Sequence, residues 1–260
     1  MTVEIEQARR ERTRHTAVEL AGVGKTFGTG PDAVTALRGI DLRVAHGEFV
    51  CLLGASGCGK STLLNLLAGL DGATGGTVAV SASRPSFMFQ EAALMPWLTA
   101  ARNVELPLQL AGWSRHARRD RAAELLGLVR LDGVGAKRPH ELSGGMRQRV
   151  SLARALAAAT SSDSDEGPGL LLMDEPFAAL DAITRDVLQG ELLRVWEATG
   201  TTIVFVTHDV REAVRLAQRV VLLSSRPGTV VKEWDARSHR DGLTDEITGR
   251  LRQVITSHAA

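Results

Sequence analysis

The chain has 260 residues, 44% of them hydrophobic, and a formal net charge of +1. That is enough apolar side chain for one substantial core with room for an inserted subdomain. Such a balance argues against nucleic acid as the principal partner, because a phosphate-neutralising surface shows as a basic excess. No window approaches the roughly twenty apolar residues of a membrane span, so work at a membrane would need another polypeptide as anchor. The two cysteines, Cys51 and Cys58, flank one turn where they are poorly placed to bridge, and a reducing compartment fits them.

Residues 1–16 are rich in Glu and Arg, lack a secretory apolar stretch and read as a flexible charged arm. Ala17 to Val23 and Leu37 to Val44 read as strands of an antiparallel flank, joined through a glycine-rich connection around Gly28 to Pro31. Phe49-Val50-Cys51-Leu52-Leu53 is an unbroken apolar run suited to a strand buried on both faces. Thr62 to Ala68 reads as a helix, and Gly75 to Val80 as another short strand. After Gln90 the pattern turns helical, with helices expected over Thr99–Leu110 and Ser114–Leu131 inside an insertion spanning about 91–160. The stretch 160–169, full of Ser, Asp, Gly and Pro, reads as an exposed loop. Leu170 to Met173 and Thr202 to Val206 are strands around a helix from Asp186 to Thr199, a β-α-β unit that implies a parallel sheet. A surface helix is expected over Thr244–Ser257, within a tail spanning 236–260.

Between the buried strand and its helix lies Gly54-Ala55-Ser56-Gly57-Cys58-Gly59-Lys60-Ser61, a complete G-x-x-x-x-G-K-[ST] pattern. Its glycines permit a tight turn whose backbone N–H groups converge on phosphate oxygens at a helix N-terminus. Lys60 adds a positive charge toward the β and γ phosphates, Ser61 offers a hydroxyl to Mg²⁺, and Thr62 adjoins the loop. A bare glycine turn needs neither Lys60 nor Ser61, so the pattern predicts a nucleoside triphosphate. Asp174-Glu175, at the end of an apolar strand, supplies the carboxylates such a site needs: Asp174 for Mg²⁺, Glu175 to polarise an attacking water. Leu142-Ser143-Gly144-Gly145-Met146-Arg147-Gln148 is a second glycine-containing helix N-terminus, with Ser143 and Gly145 fit to hold a second anion.

Together these motifs resemble the ATPase subunit of an ATP-binding cassette transporter, and the resemblance runs from about Ala17 to Glu233, within an ATPase domain taken as 17–235. It implies an α/β fold: a P-loop NTPase core with a mixed, mostly parallel sheet, an antiparallel β flank and an inserted helical subdomain. It implies ATP and Mg²⁺ as ligands. Leu142 to Gln148 resembles the family signature, which closes over ATP held by a second copy. Phe27 resembles the aromatic that stacks on adenine, Gln90 the glutamine that senses Mg²⁺ and links to the membrane subunit, and Ala179-Leu180-Asp181 the loop that crosses the dimer interface. His208 resembles the histidine that contacts the γ-phosphate. The resemblance implies a homodimer on two permease subunits, with a solute-binding protein engaged indirectly, at the cytoplasmic face of the cell membrane.

Gln90-Glu91-Ala92-Ala93-Leu94-Met95-Pro96-Trp97-Leu98, taken with the signature and the Asp174–Arg185 segment, resembles importers of nitrate, sulfonate and taurine, aliphatic sulfonate being the first choice. The exposed aromatic and apolar residues of 87–98 suit a docking surface. Two departures stand out: the chain is short between Gly76 and Phe87, and long and acidic over 160–169. The end soon after the core leaves no room for a regulatory C-terminal domain. Other readings are a DNA- or ribosome-acting clamp, which would want a basic stripe or coiled-coil arm, a regulatory subunit without turnover, against which Glu175 and His208 argue, and a kinase, which would have no use for Leu142 to Gln148.

Overall fold

The structure, a computed structural model, describes residues 16–82, 84–161, 169–237 and 242–256. Nearly all of the charged arm and most of the 160–169 loop fall outside these residues. In chain order the elements are β1 (Thr16–Phe27), β2 (Val34–Ala45), β3 (Phe49–Leu53), α1 (Lys60–Leu67), β4 (Gly75–Val80), β5 (Ser86–Met88), α2 (Ala100–Leu110) and α3 (Arg115–Leu128). They continue with α4 (Gly144–Ala159), β6 (Leu170–Asp174), α5 (Ala182–Thr199), β7 (Thr202–Thr207), α6 (Val210–Leu216), β8 (Arg219–Leu223), β9 (Val230–Asp235) and α7 (Leu243–Thr256). They form two compact units, 1–83 with 202–260, and 84–201.

In the first unit β1 pairs antiparallel with β2 on one side and β4 on the other, the flank anticipated from the sequence. Its strands are longer than alternation alone suggested, because irregular register along β1 carries the pairing through to Phe27. The second sheet of this unit is built on β3, which runs parallel to both β7 and β8, while β9 closes the edge antiparallel to β8. Every residue of β3 is fully buried, which is why its sequence is continuously apolar rather than alternating. Phe49 meets Phe205 edge to face with ring centroids 6.1 Å apart, and each such buried side chain contributes about 1.5–3 kcal/mol. At the rim Arg219 binds Glu48 at 2.7 Å and Glu233 at 2.6 Å. Burial opposes the charge of Arg219, but these two carboxylates hold its pKa above the usual value.

The second unit contains the helices α2 to α5 and the parallel pair β5–β6. It therefore extends past the helical stretch 91–160 to include two strands and α5. Ser114 caps α3 by accepting from Ala117 N, and Thr99 caps α2 by accepting from Arg102 N. Ala122, Leu125 and Leu126 form the buried face of α3. Glu105 on α2 is buried and lies between Arg118 at 3.3 Å and Arg102 at 3.5 Å, so its charge is compensated. Strand β5 and helix α6 are elements that periodicity alone did not single out, since a strand of three residues and a helix of seven give too few repeats to register; β9, mixed in polarity over Val230–Asp235, was not singled out either.

Candidate functional site

In the first unit the segment Gly54 to Ser61 leaves the C-terminal end of β3, which lies between β7 and β8. A Cβ on Gly59 would stand 2.9 Å from Ala36 O, and its φ of 102° is one that side chains other than glycine avoid. Gly54 is equally constrained, with a Cβ falling 2.7 Å from Cys58 Sγ. Lys60 opens α1, is buried, and donates from Nζ to Gly54 O at 2.8 Å and Ala55 O at 2.9 Å. The lysine thus lies curled inside its own loop, with Ser61 exposed one residue on. Burial pushes the Cys58 thiol up, against the pull of nearby Lys60, and burial raises Cys51 further. The two cysteines are free, as expected.

Leu53 pairs with Thr207, so Gly54 and His208 emerge from adjacent strand ends in the same direction. His208 is exposed and precedes Asp209, which caps α6 by accepting from Arg211 N and Glu212 N. Phe27 ends β1 at 43% exposure, too open for a core aromatic. The Nζ of Lys25 lies 4.9 Å from its ring centroid. That ammonium is held in turn by Asp71 at 2.6 Å and Gly72 O at 2.8 Å, and Lys25 lowers the pKa of Asp71.

In the second unit β6 ends at Asp174, which is buried, and the next residue, Glu175, takes φ 45°. A left-handed glutamate costs about 1–3 kcal/mol and persists only where its surroundings impose it. Pro176 follows, and the chain turns through Ala178 N to Glu175 O at 3.2 Å and Leu180 N to Phe177 O at 3.2 Å. Asp181 then caps α5, accepting from Thr184 N at 2.9 Å, and the capping bonds lower its pKa. Ser143 caps α4 in the same manner, accepting from Met146 N at 3.2 Å, which leaves its hydroxyl proton to donate elsewhere. A Cβ on Gly145 would sit 3.5 Å from Leu180 Cδ2, so the Ser143–Gly145 turn and the 177–181 turn pack together.

Gln90 is exposed, and α4 ties down its loop. Gln148 Nε2 donates to Gln90 O at 3.3 Å, and Arg154 donates to Ala92 O at 3.0 Å and Ala93 O at 2.8 Å. The buried side chain of Asn103 bonds both N and O of Met95 and the carbonyls of Leu98 and Thr99. Arg154 and Asn103 were not singled out from the sequence, and Gln148 was read only as the end of the signature; polar residues on the buried face of a helix were the available signal. Of the apolar residues expected on a surface over 87–98, Phe89 and Trp97 are exposed at 40% and 68%, whereas Met88 is fully buried because it lies in β5, paired with Met173 of β6.

Strand, glycine loop, buried lysine and helix on a parallel sheet define a P-loop nucleoside triphosphatase. A family model described as ABC transporter matches residues 37–178. The taurine import ATP-binding protein TauB of Burkholderia pseudomallei (strain 1710b) is 48% identical over 216 residues, 80% of this chain and 80% of that protein. The nitrate import ATP-binding protein NrtD of Synechocystis sp. is 44% identical over 223 residues, 83% and 81% of the two chains. The aliphatic sulfonates import ATP-binding protein SsuB of Bacillus cereus (strain ATCC 10987) is 44% identical over 222 residues, 83% and 84%. A dimeric, post-hydrolysis structure of the ATP-binding cassette MJ0796 with ADP and Pi superposes with a TM-score of 0.75 at 35% identity, over 85% of this chain and 100% of that one. The chain belongs to the ABC transporter family, as its ATP-binding and ATP-hydrolysing cassette.

Proposed function

We propose that the chain energises a membrane importer of a small anionic solute, with aliphatic sulfonates the first candidate and taurine and nitrate the alternatives. The observation that carries this is the pairing of a complete set of ATPase motifs, Glu175 included, with relatives whose names specify taurine, nitrate and sulfonate import. Two copies bind ATP, close on it and draw two attached permease subunits outward; hydrolysis reopens them. The chain works at the cytoplasmic face of the membrane, and a solute-binding protein delivers cargo to the permease.

Lys60 and the amides of Gly54 to Thr62 neutralise phosphate charge. Phe27 offers its exposed ring to the base, Glu175 orients or deprotonates the attacking water, and His208 holds the γ-phosphate. Ser143, Gly144, Gly145 and Asp181 complete the site of the opposite copy. The hydroxyl of Ser61, the amide oxygen of Gln90 and the carboxylate of Asp174 are hard oxygen donors of the kind that hold Mg²⁺ beside phosphate oxygens. Among the described residues no group of His, Cys, Asp and Glu forms a metal cage by itself. Bound there, Mg²⁺ would neutralise phosphate charge.

The test is ATP hydrolysis by the chain reconstituted with a candidate permease, adding sulfonate, taurine or nitrate with the matching binding protein one at a time. Stimulation by one solute is expected. Hydrolysis indifferent to all three would remove the proposed cargo class.

A further inference from the structure

The hairpin between β8 and β9 places a second cation beside the phosphate loop. Its turn is pinned from within: Ser224 N donates to Thr229 O at 2.9 Å, Ser224 Oγ to Pro227 O at 2.8 Å, and Thr229 N to Ser224 Oγ at 2.8 Å. It is also pinned from outside, because Gly228 N donates to Ala36 O at 2.8 Å and Gly228 O accepts from Arg38 N at 3.0 Å. The fit against the loop is close enough that a Cβ on Gly228 would stand 2.3 Å from Cys58 O. From this turn the guanidinium of Arg226 reaches Gly57, its Nη2 lying 3.9 Å from where a Cβ on that glycine would be. Arg226 is exposed, and among the described residues no carboxylate or carbonyl engages its guanidinium.

We infer that Arg226 contacts the polyphosphate of the bound nucleotide, adding a second cation to the one Lys60 supplies. A planar guanidinium matches phosphate oxygens in bidentate fashion and remains charged at every working pH. The pinned turn fixes the backbone that carries Arg226, so the entropy lost when it engages is that of the side chain alone. Gly57, without a side chain and at φ 77°, leaves the space between guanidinium and loop open. This inference rests on the phosphate loop holding ATP, with Lys60 supplying charge from within that loop and Arg226 from its exposed side.

The test is equilibrium binding of ATP, ADP and AMP with Mg²⁺ to the full purified chain, at protein concentrations low enough to keep it monomeric. Wild type is compared with Arg226→Ala, Arg226→Lys and Lys60→Ala. A partly exposed charge-assisted bond is worth about five- to twentyfold in affinity, so R226A should weaken ATP by that factor, with R226K between it and wild type. AMP binding and the melting temperature should change little. ATP affinity of R226A within twofold of wild type would overturn the inference, as would equal losses for ATP and AMP, which would point to a disturbed fold. Failure of the wild type itself to bind ATP more tightly than Lys60→Ala would instead overturn the phosphate-loop reading.

Discussion

The side-chain amide of Gln148 donates to the backbone carbonyl of Gln90 at 3.3 Å, so the loop carrying Gln90 is fastened to the helix that begins at Ser143. Gln148 is buried, and its truncation leaves that carbonyl without its partner. Gln148→Ala is expected to lower stability by about 1 kcal/mol, a fall in Tm of about 2–4 °C for a chain of this size. Thermal melting followed by circular dichroism checks it, and an unchanged Tm would show that the bond contributes nothing.

Glu175→Gln keeps the shape of the side chain and removes its charge. ATP binding should persist while phosphate release slows by about 10²- to 10⁴-fold, and copies should accumulate as an ATP-stabilised dimer. Size-exclusion chromatography with ATP and a phosphate-release assay read the two effects. Turnover close to wild type would assign water activation to another group.

Gly228→Ala drives a methyl into Cys58 O and to within about 3.1 Å of Leu37 Cδ2. Neither the backbone nor the strand behind it yields cheaply, so a loss of about 1–3 kcal/mol is expected. Because the displaced atom belongs to the phosphate loop, ATP affinity should fall as well. Denaturant titration and nucleotide binding measured on one preparation test whether the two losses occur together.

Burial raises the thiol pKa of Cys51 and of Cys58. A raised pKa means less thiolate at a given pH, so both should resist alkylation at pH 7 and react faster only as pH climbs past the ordinary thiol range of about 8.5. Denaturation should release both at once. Counting modified cysteines by mass spectrometry from pH 7 to 10, folded and unfolded, decides this; rapid reaction of either folded thiol at pH 7 would contradict the buried environment.

The fully buried strands were legible because burial on both faces leaves an unmistakable run, as in Phe49 to Leu53 and Leu170 to Met173. Helix α3 was legible as a helical stretch from Ser114 to Leu131, the start of α4 as the glycine-containing N-terminus at Ser143 to Gly145, and the antiparallel flank through partial alternation. What local pattern does not encode is cooperation at a distance. Nothing near Arg226 in the chain shows that its hairpin leans on Gly57, and nothing near Gln148 shows that it reaches Gln90. The burial of Met88 was not legible for the same reason: it pairs with a strand some eighty-five residues away.

The backbone of Glu175 carries one more implication. A glycine at this position would adopt φ 45° without the strain a side chain brings, so Glu175→Gly would trade the carboxylate proposed to activate water for a more comfortable turn. Selection for heat resistance alone would drift toward a quiescent cassette. On the proposed role, hydrolysis is what an acid in a conformation that acids resist would serve.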